Sequence, residues 1–244
     1  MVLKLGLLGY PLSHSYSASL FKNMFTQKNI EGAYELISMS SLDNVKEHIS
    51  SKNLQGFNVT IPFKKTIIPY LDEIDPTASI IGSVNTVKIN MQNKWIGYNT
   101  DCIGIESSMQ DFKPYSKLKA LIFGNGGASA AVQFVLRKLH IPFTLVSRND
   151  IKNAITYDEL TEAIFNTHNV LIQTTPVGMY PDIEQTLHLP YEYVTPHHIA
   201  FDLIYNPEKT KFLRFCEAEG ASIKNGMEML IKQAEAAYNI FIAK

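Results

Sequence analysis

The stretch Lys119-Ala-Leu-Ile-Phe-Gly-Asn-Gly-Gly-Ala-Ser129, continued by Phe143-Thr-Leu-Val-Ser-Arg148, decides how the chain folds. Ala120 to Phe123 is a short apolar run that reads as a buried strand. It breaks at Gly124-Asn125-Gly126-Gly127, where missing side chains permit a tight turn. Ala128, Ala131, Val132, Val135, Leu136 and Leu139 then repeat at the spacing of one apolar stripe on an α-helix. Phe143 to Val146 supplies a second strand. Strand, glycine turn, helix and strand within about 30 residues make the βαβ unit in which a pyrophosphate rests on the amides of a helix N-terminus. The stretch therefore predicts a bound dinucleotide, although the same glycines would also serve a plain strand-to-helix turn. Gly124 and Gly126 fill the first two glycine positions of G-x-G-x-x-G, and the sixth position is Ser129.

The end of the second strand bears on which dinucleotide. An acid there takes the ribose 2′-hydroxyl of NAD, whereas an arginine accommodates the 2′-phosphate of NADP. The chain has Ser147-Arg148-Asn149, and Arg148 can pair with a phosphate and stack on adenine, so NADP is favoured. Asp150 keeps NAD open as the lesser alternative. No Lys-Ser/Thr pair follows the glycines, which argues against a nucleoside-triphosphate loop.

A chain of 244 residues, 45% hydrophobic and 18% charged, is long enough for two modest α/β domains, each with its own core. A formal net charge of −1 gives no electrostatic footprint for nucleic acid. Cys102 and Cys216 are too far apart in sequence to suggest a disulfide framework or a metal knuckle, and no apolar run approaches a membrane span. A cytoplasmic protein without a metal is expected. Of the scattered histidines, the adjacent His197 and His198 read as loop surface.

Leu3 to Leu8 reads as a strand, followed by Ser13-His14-Ser15-Tyr16-Ser17 and a helix from about Ala18 to Lys28. One of these hydroxyls can cap the helix. The others remain for a polyhydroxylated ligand at the strand's carboxyl end, where open α/β sheets place their sites. A strand over residues 33–37 and a helix over 41–51 with Leu42, Val45 and Ile49 inward continue the pattern. In Asn58-Val-Thr60-Ile-Pro-Phe-Lys64-Lys65 the strand ends near Ile61, and Pro62 suits the first turn of a helix. That would put Lys64 and Lys65 at an electropositive helix start, disfavoured by about 0.3 to 1 kcal/mol. Lys65 reads as a solvated surface residue; for Lys64, spacing leaves surface and functional readings open. Asn85 and Asp101 end the strands of an expected hairpin, as cleft residues or as turn residues bonded to their own backbone. Residues 102 to about 225 read as a second α/β domain, in which Val170 to Met179 is a strand running into a Pro/Gly loop and residues 199–204 are another strand. The final helix, Met227 to Ile242, carries Met227, Leu230, Ala234, Ala237 and Phe241 on one side, with Gln233 at its border.

Taken in order, Gly9-Tyr-Pro-Leu-Ser-His-Ser-Tyr-Ser17, Asn58-Val-Thr-Ile-Pro-Phe-Lys64, Gly82-Ser-Val-Asn85-Thr, Asn99-Thr-Asp101, Gly124-Asn-Gly-Gly-Ala-Ser129 and Asn225-Gly-Met-Glu-Met-Leu-Ile-Lys-Gln233 resemble the shikimate dehydrogenase family over nearly the whole chain. The resemblance implies an N-terminal α/β substrate domain, a Rossmann-like NADP-binding domain and a C-terminal helix returning to the first. The corresponding boundaries are 1–101 with 226–244, and 102–225. It implies reversible reduction of 3-dehydroshikimate to shikimate, with Lys64 and Asp101 as the catalytic pair. By the same resemblance Ser15, Ser17, Thr60, Asn85, Tyr205 and Gln233 hold the substrate. Gly124, Asn125, Gly126, Gly127, Ala128, Ser147, Arg148, Lys152, Leu203 and Gly226 hold NADP. Ala18, Phe21, Cys102 and Gln173 depart from the family pattern.

Two other functions fit the same residues: a quinate/shikimate dehydrogenase that also uses NAD, and a catalytically silent NADP-binding sensor on the same scaffold. An intact Lys64, Asn85 and Asp101 argue against the sensor. A monomer or homodimer acting on a small molecule is expected.

Overall fold

A computed structural model describes residues 2–12 and 15–243; Ser13 and His14 of the hydroxyl-rich turn lie outside the described residues. The chain divides into two compact units, residues 1–104 with 231–244 and residues 105–230.

The first unit is built on a six-stranded sheet of β1 (Leu3–Gly9), β2 (Gly32–Ser38), β3 (Gly56–Val59), β4 (Glu73–Ile74), β5 (Thr86–Ile89) and β6 (Trp95–Tyr98), in the order β2-β1-β3-β5-β6-β4. Strand β1 pairs in parallel with β2 and β3, while β5 runs antiparallel to both β3 and β6. Its helices are α1 (Tyr16–Gln27), α2 (Val45–Ser50) and α3 (Pro76–Ile81). Helix α3 starts where Asp75 accepts hydrogen bonds from the Thr77 and Ala78 amides and Pro76 takes the first turn.

Alternation along β1 sends Leu5 and Leu8 into different clusters. Leu8 packs with Ile37, Val45, Ile49, Phe57 and Trp95. Leu5 packs with Phe21, Phe25, Ala234, Ala237, Tyr238 and Phe241. The second set comes from α1 and from the last helix, so the C-terminal residues belong to the first unit's core. Phe21 stacks on Tyr34, with ring centroids 4.3 Å apart, and thereby fills a place in that core.

Helix α4 (Asp101–Ser108) contains the residue at which the first unit ends, Gly104. The second unit carries β7 (Ala120–Phe123), α5 (Gly127–Lys138), β8 (Phe143–Ser147), β9 (Ala154–Thr156), α6 (Glu162–Thr167), β10 (Val170–Gln173), β11 (Ile199–Asp202), α7 (Lys211–Ala218) and β12 (Ser222–Lys224). The last helix, α8 (Met227–Ile242), returns the chain to the first unit after Leu230. All strands of the second sheet are parallel, in the order β12-β11-β10-β7-β8-β9. This is a doubly wound Rossmann-type sheet whose order reverses between β7 and β10. Both of those strands are buried at all four positions, as a sheet covered on its two faces requires.

Three expectations are corrected. Residues 61–67 form successive turns rather than a helix opened by Pro62. The cause is tertiary: the Lys64 carbonyl accepts the Val84 amide at 2.8 Å, and the Ile68 amide turns to Lys65 instead. No helix dipole therefore acts on Lys64. His198 is buried, not loop surface, because its ring is bonded to Thr195 and to the Phe165 carbonyl; His197 remains exposed. Along α8 the most buried positions are Ala234, Ala237 and Tyr238, so a tyrosine outside the expected stripe carries much of the contact. Among the described residues no helix is long and apolar enough to cross a membrane, and no group of three or more His, Cys, Asp or Glu could hold a metal ion.

Candidate active site

Topology brings the candidate residues of the first unit to one edge of its sheet. Ser15 follows β1, Thr60 and Lys64 follow β3, and Asp101 follows β6, which runs in the same sense as β3. Asn85 precedes the antiparallel β5 and so reaches the same edge.

Lys64 Nζ lies 2.6 Å from Asp101 Oδ2, with side-chain exposures of 17% and 5%. The other carboxylate oxygen, Oδ1, accepts from Asn85 Nδ2 at 2.9 Å. Asn85 is 3% exposed and joins most of this edge together. Its Nδ2 also lies 2.9 Å from Thr100 Oγ1 and 3.4 Å from Gln233 Oε1, while its Oδ1 accepts the Thr100 amide at 2.7 Å. The Asn85 carbonyl takes the Val59 amide at 2.8 Å and the Asn58 side chain at 3.2 Å, tying the residue to β3. Asn85 is therefore fixed by strand pairing on both sides, and Asp101 is fixed by Asn85. Lys64 is held at its backbone by Val84 and at its ammonium by Asp101. The pair is an ammonium of partial exposure steadied by a buried carboxylate, an arrangement able to pass a proton to an oxygen placed beside the lysine.

Ser15 is the residue that caps α1, accepting the Ser17 amide at 3.2 Å. Its hydroxyl keeps a proton to donate, so capping and ligand binding are compatible. Ser17 is 9% exposed, and Thr60 is anchored by its amide to the Leu8 carbonyl at 2.8 Å.

The second unit gathers the glycine-turn residues at the reversal between β7 and β10. Gly124 has φ +107°, and a Cβ there would meet Thr175 Cγ2 at 2.7 Å and Thr174 Oγ1 at 2.8 Å. Thr174 is locked onto β7 by donating to the Phe123 carbonyl at 2.7 Å. A side chain at 124 would be excluded twice, by conformation and by space. Gly126 is the N-cap of α5 and has open space where its Cβ would stand; no side chain caps the helix. This cradle fits a pyrophosphate, which would approach the first-turn amides of a 12-residue helix through that space. Arg148 and Lys152 are exposed beyond the carboxyl end of β8, with Ser147 buried beneath them. The Gly124 amide donates to the Val146 carbonyl, which sets the Arg148 loop beside the glycine turn. Burial pushes the nearby Tyr157 hydroxyl up to about 12, and the Arg148 charge opposes that rise. Gly226 packs against the Leu203 carbonyl so closely that any side chain would overlap it. Leu203 and Gly226 are thus one contact, and Tyr205 lies two residues further along the same loop.

Sequence reasoning gave no role to two fully buried polar residues at equivalent register on neighbouring strands, Gln173, noted only as a departure from the family pattern, and Asp202. Gln173 accepts from the Thr175 amide and hydroxyl at 3.0 and 2.9 Å and donates to the Val177 carbonyl at 3.2 Å, so it closes the loop after β10 on itself. Asp202 does the same for the loop after β11. The signal for both was a polar residue ending an apolar strand run.

A doubly wound parallel sheet with a glycine-turn cradle, joined in one chain to a second α/β unit bearing a lysine–aspartate pair, defines a two-unit α/β protein of the Rossmann type. The family model "Shikimate dehydrogenase substrate binding domain" matches residues 7–87. A shikimate dehydrogenase (NADP(+)) of Desulforamulus reducens is 33% identical, over 97% of this chain and 88% of that relative. The crystal structure of shikimate dehydrogenase from Aquifex aeolicus superposes with a TM-score of 0.88 at 30% identity, covering 99% of this chain and 92% of that one. Shikimate 5-dehydrogenase from Thermus thermophilus, solved with NADP(H) and shikimate, gives 0.86 at 28% identity over 98% and 93% of the two chains. The chain belongs to the shikimate dehydrogenase family.

Proposed function

We propose that this chain catalyses the reversible NADP-dependent reduction of 3-dehydroshikimate to shikimate. The observation that carries the reading is the 2.6 Å contact of Lys64 with Asp101, steadied by Asn85. NADPH, when bound, would supply the hydride that reduces the ketone carbon. As that carbon is reduced, negative charge develops on its oxygen, and the Lys64 ammonium stabilises the charge and gives up a proton to it. In the oxidation direction a neutral Lys64 takes the hydroxyl proton back. Asp101 holds the lysine in place and accepts from a neighbouring substrate hydroxyl. Ser15, Ser17, Thr60, Asn85 and Gln233 bind the remaining hydroxyls and the carboxylate, and the family resemblance adds Tyr205 to them.

In the second unit, the turn from Gly124 to Ala128 would hold the pyrophosphate of NADP, Arg148 with Ser147 and Lys152 would hold its 2′-phosphate, and Leu203 and Gly226 would contribute to the nicotinamide end. The protein works in the cytoplasm as a monomer or homodimer. The test is initial-rate measurement with shikimate or quinate, each with NADP or NAD. Turnover greatest with shikimate and NADP supports the reading. A preference for quinate or NAD would move it to the neighbouring dehydrogenase, and no turnover with any pair would leave an NADP-binding sensor.

A further inference from the structure

Asp202 is a carboxyl group with 0% exposure at the end of β11, and the chemistry above makes no use of it. Burying an acid without a cation is unfavourable unless something in the structure needs its hydrogen bonds. Oδ1 accepts the Ile204 amide at 2.9 Å, and Oδ2 accepts from Thr210 Oγ1 at 2.6 Å. Thr210 is the N-cap of α7, where its hydroxyl also accepts the Leu213 amide. One side chain therefore grips the β11–α7 loop at both ends. Between those two points lie Tyr205, Asn206, Pro207, Glu208 and Lys209, and Leu203 is the link from Asp202 to Ile204. The Ile204 peptide is held on its other side too, because its carbonyl accepts the Gly226 amide at 3.0 Å. The Asn206 carbonyl accepts the Tyr180 amide at 3.1 Å, which links the same loop to the one after β10.

We propose that Asp202 is a positioning residue for the Leu203–Tyr205 segment, fixing through Ile204 and Thr210 the backbone that presents Tyr205 to substrate and Leu203 to the nicotinamide. The inference rests on the function proposed above for what the segment does, and on Asp202 alone for how it is held. Burial pushes the Asp202 carboxyl up to about 7, against the pull of its bonds to Thr210 and Ile204. The titratable groups facing it are Cys216 on α7 and Tyr191, both held protonated by their own burial. Among the described residues no cation pairs with Asp202, whereas the two loop bonds account for its place.

The experiment compares wild type with Asp202→Asn and Asp202→Ala, reading amide hydrogen exchange over residues 203–209 and the separate KM and kcat values for shikimate and NADP. Asparagine keeps an acceptor for Ile204 and a donor to Thr210. Asp202→Asn should therefore stay within about three-fold of wild type in exchange and in KM. In Asp202→Ala, exchange at Ile204 and Tyr205 should rise at least about ten-fold, the loss of one hydrogen bond to a charged acceptor, with β7 and β10 unchanged. KM should rise at least about five-fold with little change in kcat, whereas a purely structural role would lower the active fraction and leave KM alone. Should the alanine variant not fold, Thr210→Val removes the Oδ2 bond together with the cap on the Leu213 amide, and loosening of 203–209, beyond the first turn of α7, is expected there too. Unchanged exchange over that segment in whichever variant folds overturns the proposal. Absence of shikimate turnover in wild type would instead overturn the function, and the exchange measurement would still decide the role of Asp202.

Discussion

The substitution Asn85→Asp tests the polar edge of the first unit without changing its shape. It replaces an amide donor that lies 2.9 Å from Asp101 Oδ1 by a carboxylate oxygen, at a residue 3% exposed beside another 3% exposed. Two like charges at that separation repel by about 6 kcal/mol at an effective dielectric constant of 20. The Lys64 ammonium, 2.6 Å from the other oxygen, offsets part of this. The folded variant relieves the rest by holding one proton between the two carboxylates, a proton that the unfolded chain releases above about pH 4. Because the folded state then binds more protons than the unfolded one, stability falls as pH rises, by about 1.4 kcal/mol per unit. Between pH 5 and 8 the variant should lose about 2 to 4 kcal/mol relative to wild type. The assay is urea unfolding followed by the fluorescence of Trp95, the single tryptophan and a core residue of the same unit. Asn85→Ala is the control: it removes the same donor without adding charge, and its deficit should not change with pH. A gap between Asn85→Asp and wild type that is flat from pH 5 to 8 would refute the reasoning.

Three other perturbations address the second unit. Arg148→Ala should raise KM for NADP by about 10- to 100-fold, the loss of a charge-assisted phosphate contact, and leave KM for NAD unchanged; equal effects on both cofactors would contradict the assignment. Gly226→Ala forces a methyl group onto the Leu203 carbonyl and should cost about 1 to 3 kcal/mol, read as a lowered Tm. Asp202 makes stability fall between about pH 4, where the unfolded carboxyl titrates, and about 7, where the folded one does, by at most about 4 kcal/mol. Asp202→Asn should abolish that slope, seen as the pH dependence of the difference between variant and wild type.

What could be read from the sequence is what local chemistry determines. The stripe of Ala131, Val132, Val135 and Leu136 is the buried face of α5, and the apolar runs of β7 and β10 are strands buried throughout. The Pro62 segment misled because the bond that decides it, from the Val84 amide to the Lys64 carbonyl, joins residues 20 apart in sequence. His198 misled for the same kind of reason, since its Nε2 partner is a carbonyl 33 residues away. Ser15, Lys64, Asn85 and Asp101 could be named as polar residues at element ends, but that they share one sheet edge follows only from the sense in which β3, β5 and β6 run. Gln173 stood out only as a departure from the family pattern, and Asp202 lay inside the strand expected over 199–204, so neither was given a role. Their importance lies in loops that fold back onto them.

The account stands on the Lys64 ammonium paired with the Asp101 carboxylate. The most direct measurement is of kcat for shikimate oxidation alongside equilibrium shikimate binding in Lys64→Ala, with folding checked by Trp95 fluorescence. The predicted result is a fall in kcat of about 10²- to 10⁴-fold, the range for losing a general acid or base, with shikimate affinity within about five-fold of wild type. A folded Lys64→Ala protein that turns shikimate over at the wild-type rate would contradict it.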